Sequence, residues 1–231
     1  MRTIGAILAL ALTTAGCSLN RLSGPPMPTG LTPVSAEQVR GWAAESAIDS
    51  GKMVRIRWSF LEEGATAKGR GTAWLVPPDS LRFDFRGPLG TGAGAAVVVG
   101  DQEQWSEPEE EFRKLVPSFP LLWAILGSAR PPESGAELAG VDDGRLVAWR
   151  SVVGTDTVEY VWVRTPLNEL VADVRGPNGR IGRVHARFDA GGNLVSSRLD
   201  VPSRPARLDL EFYGHGRITE IPDSLWRRPG Q

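Results

Sequence analysis

The sequence predicts a mainly β domain whose antiparallel strands form a barrel or a sandwich. Three observations carry that expectation. Apolar and polar residues alternate with a period of two in one stretch after another from Val54 onward. Turn signals such as Asp143-Gly144, Asn178-Gly179 and Gly191-Gly192-Asn193 stand between those stretches. Helical periodicity is confined to one segment before the strands and one in their midst.

The N-terminus reads as a leader. Arg2 supplies a positive charge, and Ile4 to Leu12 is an uncharged apolar run. Small residues follow up to Gly16. Those are the parts of a secretory signal, and the run is shorter than the about 20 residues that a bilayer-spanning helix needs. Residues 1–16 are therefore expected to be a cleaved signal peptide. The next residue, Cys17, is the only cysteine of the chain. It cannot form an internal disulfide, and an exposed free thiol is a liability. Acylation of Cys17 resolves both problems. Ala15-Gly16-Cys17 resembles the end of the bacterial lipobox, with Thr14 where that motif usually has Leu. In the sorting rule of that class, Ser18 after the cysteine is compatible with export to the outer membrane. The expected location is the periplasmic face of the outer membrane, held there by a lipid.

Residues 17–34, the lipidated cysteine and a Pro-, Gly- and Ser-rich stretch, read as a flexible tether. Residues 35–231 read as one domain. Ser35 with Gln38 forms a capping-box pattern, and Val39, Trp42, Ala43 and Ser46 share a helical face, so a short helix to about Ala47 is expected. Strands follow: Val54-Ile56-Trp58-Phe60, then Thr72-Trp74-Val76, then Leu81-Phe83-Phe85, each alternating with polar residues. Ala95 to Val99 is a short apolar strand, and Gln102 to Ser106 returns from it. Glu109-Glu110-Glu111 suits a helix N-terminus. Pro117 and Pro120 interrupt that helix, and Leu121 to Leu126 forms a second, very apolar one ending at Gly127. Such a pair must cover something. Five further strands are read at Leu146–Val152, Val158–Val163, Leu170–Val174, Val184–Phe188 and Leu208–Phe212, bringing the count to ten or eleven. Trp226 in the C-terminal tail is expected to dock as a plug.

Several functions find no support. The formal net charge of −1 becomes −2 once Arg2 leaves with the signal, which gives no footprint for nucleic acid. Of 26 basic residues only Lys52, Lys68 and Lys114 are lysines, which reflects genome composition rather than function. His185 and His215 are the only histidines, too few to assemble a metal site with the residues around them. Gly87 to Gly94 lacks the lysine of a phosphate loop and leads into a strand rather than a helix. The acidic pairs Glu62-Glu63 and Asp142-Asp143 sit in turns, where solvated charges are ordinary. No catalytic residue, cofactor or metal is expected.

The segment Leu81 to Gly90, LRFDFRGPLG, and the later segment Glu109 to Gly127, EEEFRKLVPSFPLLWAILG, resemble LolB. That family comprises outer-membrane lipoprotein receptors, and its soluble relative is LolA. The order of elements agrees over nearly all of the mature chain, while motif similarity is limited to Leu81–Arg130. The resemblance implies an open, incomplete antiparallel β-barrel of about 11 strands with a short helical lid and an N-terminal helix. It implies a concave apolar face that holds acyl chains of lipids or lipoproteins. Trp58, Trp74, Phe83, Phe85, Leu122, Trp123 and Leu126 are the candidate lining. Leu89 matches an apolar residue that the family projects outward to hand cargo to the membrane. The implied partners are acyl chains, the membrane reached through the anchor, and a periplasmic carrier protein. The glycine-rich run Gly64 to Gly71 departs from the family pattern. A non-catalytic scaffold of an envelope complex is the second reading, and an envelope hydrolase, which needs a nucleophile touching a base, the third.

Overall fold

The computed structural model describes residues 24–87, 92–220 and 222–228. Cys17 and Leu89 lie outside the described residues.

The alternating segments form one antiparallel sheet of thirteen strands that curls into an open barrel. In chain order they are β1 (Thr32–Pro33), β2 (Lys52–Glu62), β3 (Ala65–Val76), β4 (Ser80–Arg86), β5 (Ala93–Val99), β6 (Gln102–Glu107), β7 (Glu137–Asp142), β8 (Leu146–Val153), β9 (Asp156–Val163), β10 (Glu169–Gly176), β11 (Gly179–Phe188), β12 (Leu194–Val201) and β13 (Ala206–Arg217). The helices are α1 (Ala36–Ala44), α2 (Glu109–Leu115) and α3 (Phe119–Ile125). In space the order runs β1-β7-β8-β9-β10-β11-β12-β13-β2-β3-β4-β5-β6. Each half of the chain is a run of hairpins, and β13 joins the halves by pairing with β2 from Ala206↔Glu62 to Arg217↔Lys52. β1 and β6 are the two free edges, so the barrel does not close.

Three strands carried no readable signal. β1 has two residues and sits in the stretch expected to be tether. β7 is interrupted by Gly140, which has no side chain to mark a face. β12 reads Leu-Val-Ser-Ser-Arg-Leu-Asp-Val, where Ser197 takes an inward place and breaks the apolar alternation.

The core lies between the inner face of the sheet and the helices. Ile56, Leu81, Leu121 and Leu170 are at most 1% exposed, and burial of one such side chain stabilises by roughly 1.5–3 kcal/mol. α1 begins with a complete capping box: Gln38 N donates to Ser35 Oγ at 3.2 Å, and Ser35 N donates to Gln38 Oε1 at 3.0 Å. Its Val39 and Ala43 are buried. Trp42 lies on Gly140, where a Cβ would strike the ring, and tilts against Trp149 with ring centroids 6.3 Å apart.

The outer face has coverings of its own. Met27 packs on Ala148, Val161 and Val171, and Arg183 donates to Pro25 O at 2.6 Å. Residues 24–33, the second half of the expected tether, are thus held on the domain. At the other end Trp226 packs on Ala95, Val97 and Trp105, and Trp105 Nε1 donates to Trp226 O at 2.9 Å. Trp226 docks on the outer wall and does not enter the barrel.

Candidate functional site

Between the inner wall and the two mid-chain helices lies a cavity of about 200 Å³. β2 contributes Trp58 and Phe60, β3 Ala67, and β4 Phe83 and Phe85. β12 and β13 contribute Leu199, Leu208 and Leu210. Phe112 and Val116 come from α2 and the residue after it, and Leu121, Leu122, Ile125 and Leu126 from α3 and its C-cap. All fourteen lining side chains are apolar or aromatic. The one polar atom among them, Trp58 Nε1, donates to Arg70 O at 3.2 Å. Apolar cavities of this kind, around 150 Å³ in an engineered case, stay dry and take up small apolar molecules.

The aromatic wall is shaped by glycines on neighbouring strands. A Cβ at Gly69 would collide with the Trp58 ring and the Arg86 carbonyl. A Cβ at Gly94 would collide with the Phe85 ring, and one at Gly71 would come 2.8 Å from Asp84 O and 3.2 Å from the Phe83 ring. The rings therefore lie flat across adjacent backbone instead of standing upright and filling the barrel. Phe83 and Phe85 stack with centroids 5.9 Å apart. Gly69 and Gly71 of β3 and Gly94 of β5 are the floor on which these rings rest.

The lid is anchored at two places. Ser197 Oγ, buried in the sheet, donates to Ile125 O at 2.7 Å. Trp123 Nε1 donates to Gly100 O at 2.8 Å, in the turn between β5 and β6, and the Arg130 guanidinium sits 5.4 Å from the Trp123 ring centre. Arg130 is held in turn by Asp79 and Asp101 at 3.3 and 3.2 Å. Ser118, just before α3, has a buried hydroxyl with no hydrogen-bond partner among the described residues.

Of the sequence candidates, Trp58, Phe83, Phe85, Leu122 and Leu126 meet at this cavity, and two do not. Trp74 faces outward. Val54 pairs with Ala73 and Ala73 with Phe83, so Ala73 and Leu75 point inward and are buried. Trp74 instead lies outside, with the Arg82 guanidinium 5.8 Å from its ring centre. The Thr72-Trp74-Val76 reading took the heavier side chains for the buried ones and inverted the face of β3. Trp123 is 1% exposed but fastens the lid rather than lining the cavity. Phe60, Leu208 and Leu210 join the lining on the same alternation that placed Trp58. Ala67 had no signal, because nothing in a Gly- and Ala-rich strand marks which residue meets the lid.

Among the described residues no three His, Cys, Asp or Glu side chains group as a metal site, and no helix is long and apolar enough to cross a membrane. His185 and Glu169 approach to 3.4 Å on the outer wall, far in character from the apolar interior.

No protein-family model matches the chain, and no curated protein matches its sequence. Solved structures do. An outer membrane lipoprotein-sorting protein domain from Vibrio parahaemolyticus superposes with a TM-score of 0.52 at 8% identity, covering 84% of this chain and all of that one. A LolA superfamily protein from Nitrosomonas europaea aligns over 84% of this chain and 98% of its own at 9% identity, with a TM-score of 0.39. MucB in complex with MucA aligns at 10% identity over 85% of this chain and 60% of its own, with a TM-score of 0.30. The superposition on the Vibrio domain reaches a shared fold. The chain therefore shares its open antiparallel β-barrel fold with that lipoprotein-sorting domain.

Proposed function

We propose that this protein binds acyl chains of lipids or lipoproteins by burial in the cavity beneath α2 and α3. It does so as a lipoprotein anchored through Cys17 at the periplasmic face of the outer membrane, in lipoprotein localisation or envelope lipid transport. The observation that carries the reading is the cavity of about 200 Å³, lined by apolar and aromatic side chains, with its two-helix lid. The shared fold of a lipoprotein-sorting domain supports it. Holding an acyl chain breaks no bond, so the reading asks for no catalytic group or cofactor. A cargo handed over by a periplasmic carrier must also leave again. An apolar wall without polar anchors suits that, since burial is favourable in proportion to area and non-directional.

Ala67 offers a clean test. It lines the cavity yet is exposed at the strand surface, so a larger side chain fills the space without straining the core. Native mass spectrometry of the mature chain with added palmitate should show a bound acyl chain in the wild type and none in Ala67→Phe, with melting temperatures unchanged. A wild type that stays unbound at saturating palmitate rejects the carrier reading.

A further inference from the structure

The outer wall carries a charge pattern that folding does not require. Arg86, Arg70 and Arg57 stand opposite one another in register across β4, β3 and β2. The same row continues through Glu211 and Ser196 to Arg187. Two residues along the strands a second row reads Lys68, Ser59, Asp209, Arg198, His185. Most of these residues line an open groove of about 700 Å³, and Arg70 and Arg86 extend it. Six cations there meet three carboxylates, Asp209 and Glu211 in the groove and Glu169, which stands opposite Arg187 at its end. Arg198 pairs with Asp209 at 2.6 Å and Arg57 with Glu211 at 3.5 Å. Like charges directly opposite across strands destabilise a sheet, so the Arg86-Arg70-Arg57 row works against folding. It is also a local surplus in a chain of formal charge −1. Beside it Tyr213, 41% exposed, lies under the Arg57 guanidinium at 4.4 Å. An amphipathic ring beside an arginine is chemistry suited to the headgroup level of a bilayer.

A separate observation says which way this wall faces. Gly24 lines the same groove, and the neighbouring Pro25 carbonyl is clamped by Arg183 at 2.6 Å. Seven residue steps separate Gly24 from Cys17. A fully extended chain covers at most about 3.5 Å per residue, so the anchor point lies within roughly 25 Å of the groove. Interactions of exposed charges reach about 8 Å at physiological ionic strength, so a wall held this close can settle into the field of an anionic surface.

We propose that the cationic groove on the outer wall of β11 to β3 docks on the anionic phospholipid headgroups of the membrane that holds the anchor. The cavity and its lid, on the inner side of the sheet, then face the aqueous space. The inference rests on acylation of Cys17.

Because Cys17 is the sole cysteine, an added cysteine in the acylated protein is its only free thiol. The full lipoprotein carrying Ser59→Cys in the groove, or Glu110→Cys on α2, is labelled with a fluorophore. It is then reconstituted in nanodiscs containing headgroup-quencher lipid. Intact mass first establishes the acyl modification. Strong quenching at position 59 and weak quenching at 110 are expected in discs with one third phosphatidylglycerol. The quenching at 59 should fall in pure phosphatidylcholine, in half-molar salt, and in the Arg57→Glu, Lys68→Glu, Arg70→Glu triple variant. An acylated protein whose position 59 stays unquenched, or is quenched regardless of lipid charge, overturns the docking alone. A mature chain without acyl mass overturns the anchor, and the docking with it, leaving acyl binding by the cavity to be judged by its own test.

Discussion

At the level of single residues, His185 is a group whose surroundings move its titration away from that of the free side chain. Burial on the outer wall pushes its pKa down. The nearby Glu169 carboxylate opposes that shift, while the Arg187 and Arg183 charges add to it. Its Nε2 lies 3.4 Å from Glu169 without a hydrogen bond, and its ring lies against Gly24. The unfolded imidazole titrates near pH ~6.5. The folded one takes its proton at lower pH, so the unfolded state binds more protons as the solution is acidified, and stability is lost as pH falls from that value through the folded one. Melting temperature should therefore drop between pH 7 and pH 5 in the wild type and stay level in His185→Gln. An equal drop in both would place the titrating group elsewhere. Asp142 acts in a different window. Its hydrogen bonds from Arg164, at 2.7 and 2.9 Å, hold its pKa down to about 2, so its contribution is kept above about pH 4 and lost toward pH 2. Single residues are also where the sequence was least readable. Trp74 was placed inside because a large aromatic is usually buried, yet the sheet register put Ala73 there and left Trp74 to pack under Arg82. Nothing local distinguishes the faces of a strand whose neighbours are Gly, Ala and Thr.

Elements were more legible than residues. The Ser35/Gln38 capping box and the acidic start of α2 mark helix boundaries by a local mechanism, and α1 and α2 begin where those marks stand; α3 begins at Phe119, two residues before the expected Leu121, because Pro120 is accommodated in its first turn. β1 and β7 were not legible, because a two-residue edge strand and a glycine-interrupted strand exist only through pairing with distant partners. The lid shows how much an element depends on such partners. α3 is seven residues long, too short to be stable by itself, and it is held by apolar burial together with the Ser197 hydrogen bond to Ile125 O. Ser197→Ala removes the donor and leaves that buried carbonyl without it, at a cost of about 1–3 kcal/mol. Hydrogen exchange in residues 119–126 should accelerate in this variant by a factor of about five or more, while β8 to β10 stay protected. Unchanged exchange in α3 would mean that apolar packing alone fixes the lid.

For the molecule as a whole, the mainly β class and the helical interruption were readable because a period of two and a period of 3.6 are properties of the chain itself. The closure of the sheet was not. The β13-β2 seam joins segments about 150 residues apart, and the cavity lies between that seam and α3, which packs on β10 to β12. Its size also sets what the resting state can hold. Taking a methylene to fill about as much space as a water in the liquid, ~30 Å³, a cavity of 200 Å³ admits on the order of seven carbons. A whole membrane acyl chain is longer, so carriage requires α2 and α3 to move. Each buried methylene contributes about 0.8 kcal/mol, or roughly a fourfold gain in affinity. Fatty-acid dissociation constants measured by calorimetry should therefore tighten about fourfold per carbon up to about eight carbons. Beyond that length the gain per carbon should shrink, because each further methylene is buried only at the expense of lid contacts. Hydrogen exchange in α2 and α3 should quicken with the sixteen-carbon chain and not with the eight-carbon one. A uniform gain through sixteen carbons with α2 and α3 still protected would show that the chain threads along the inner wall under a fixed lid, and that the open edge of the barrel, not the helices, is the gate.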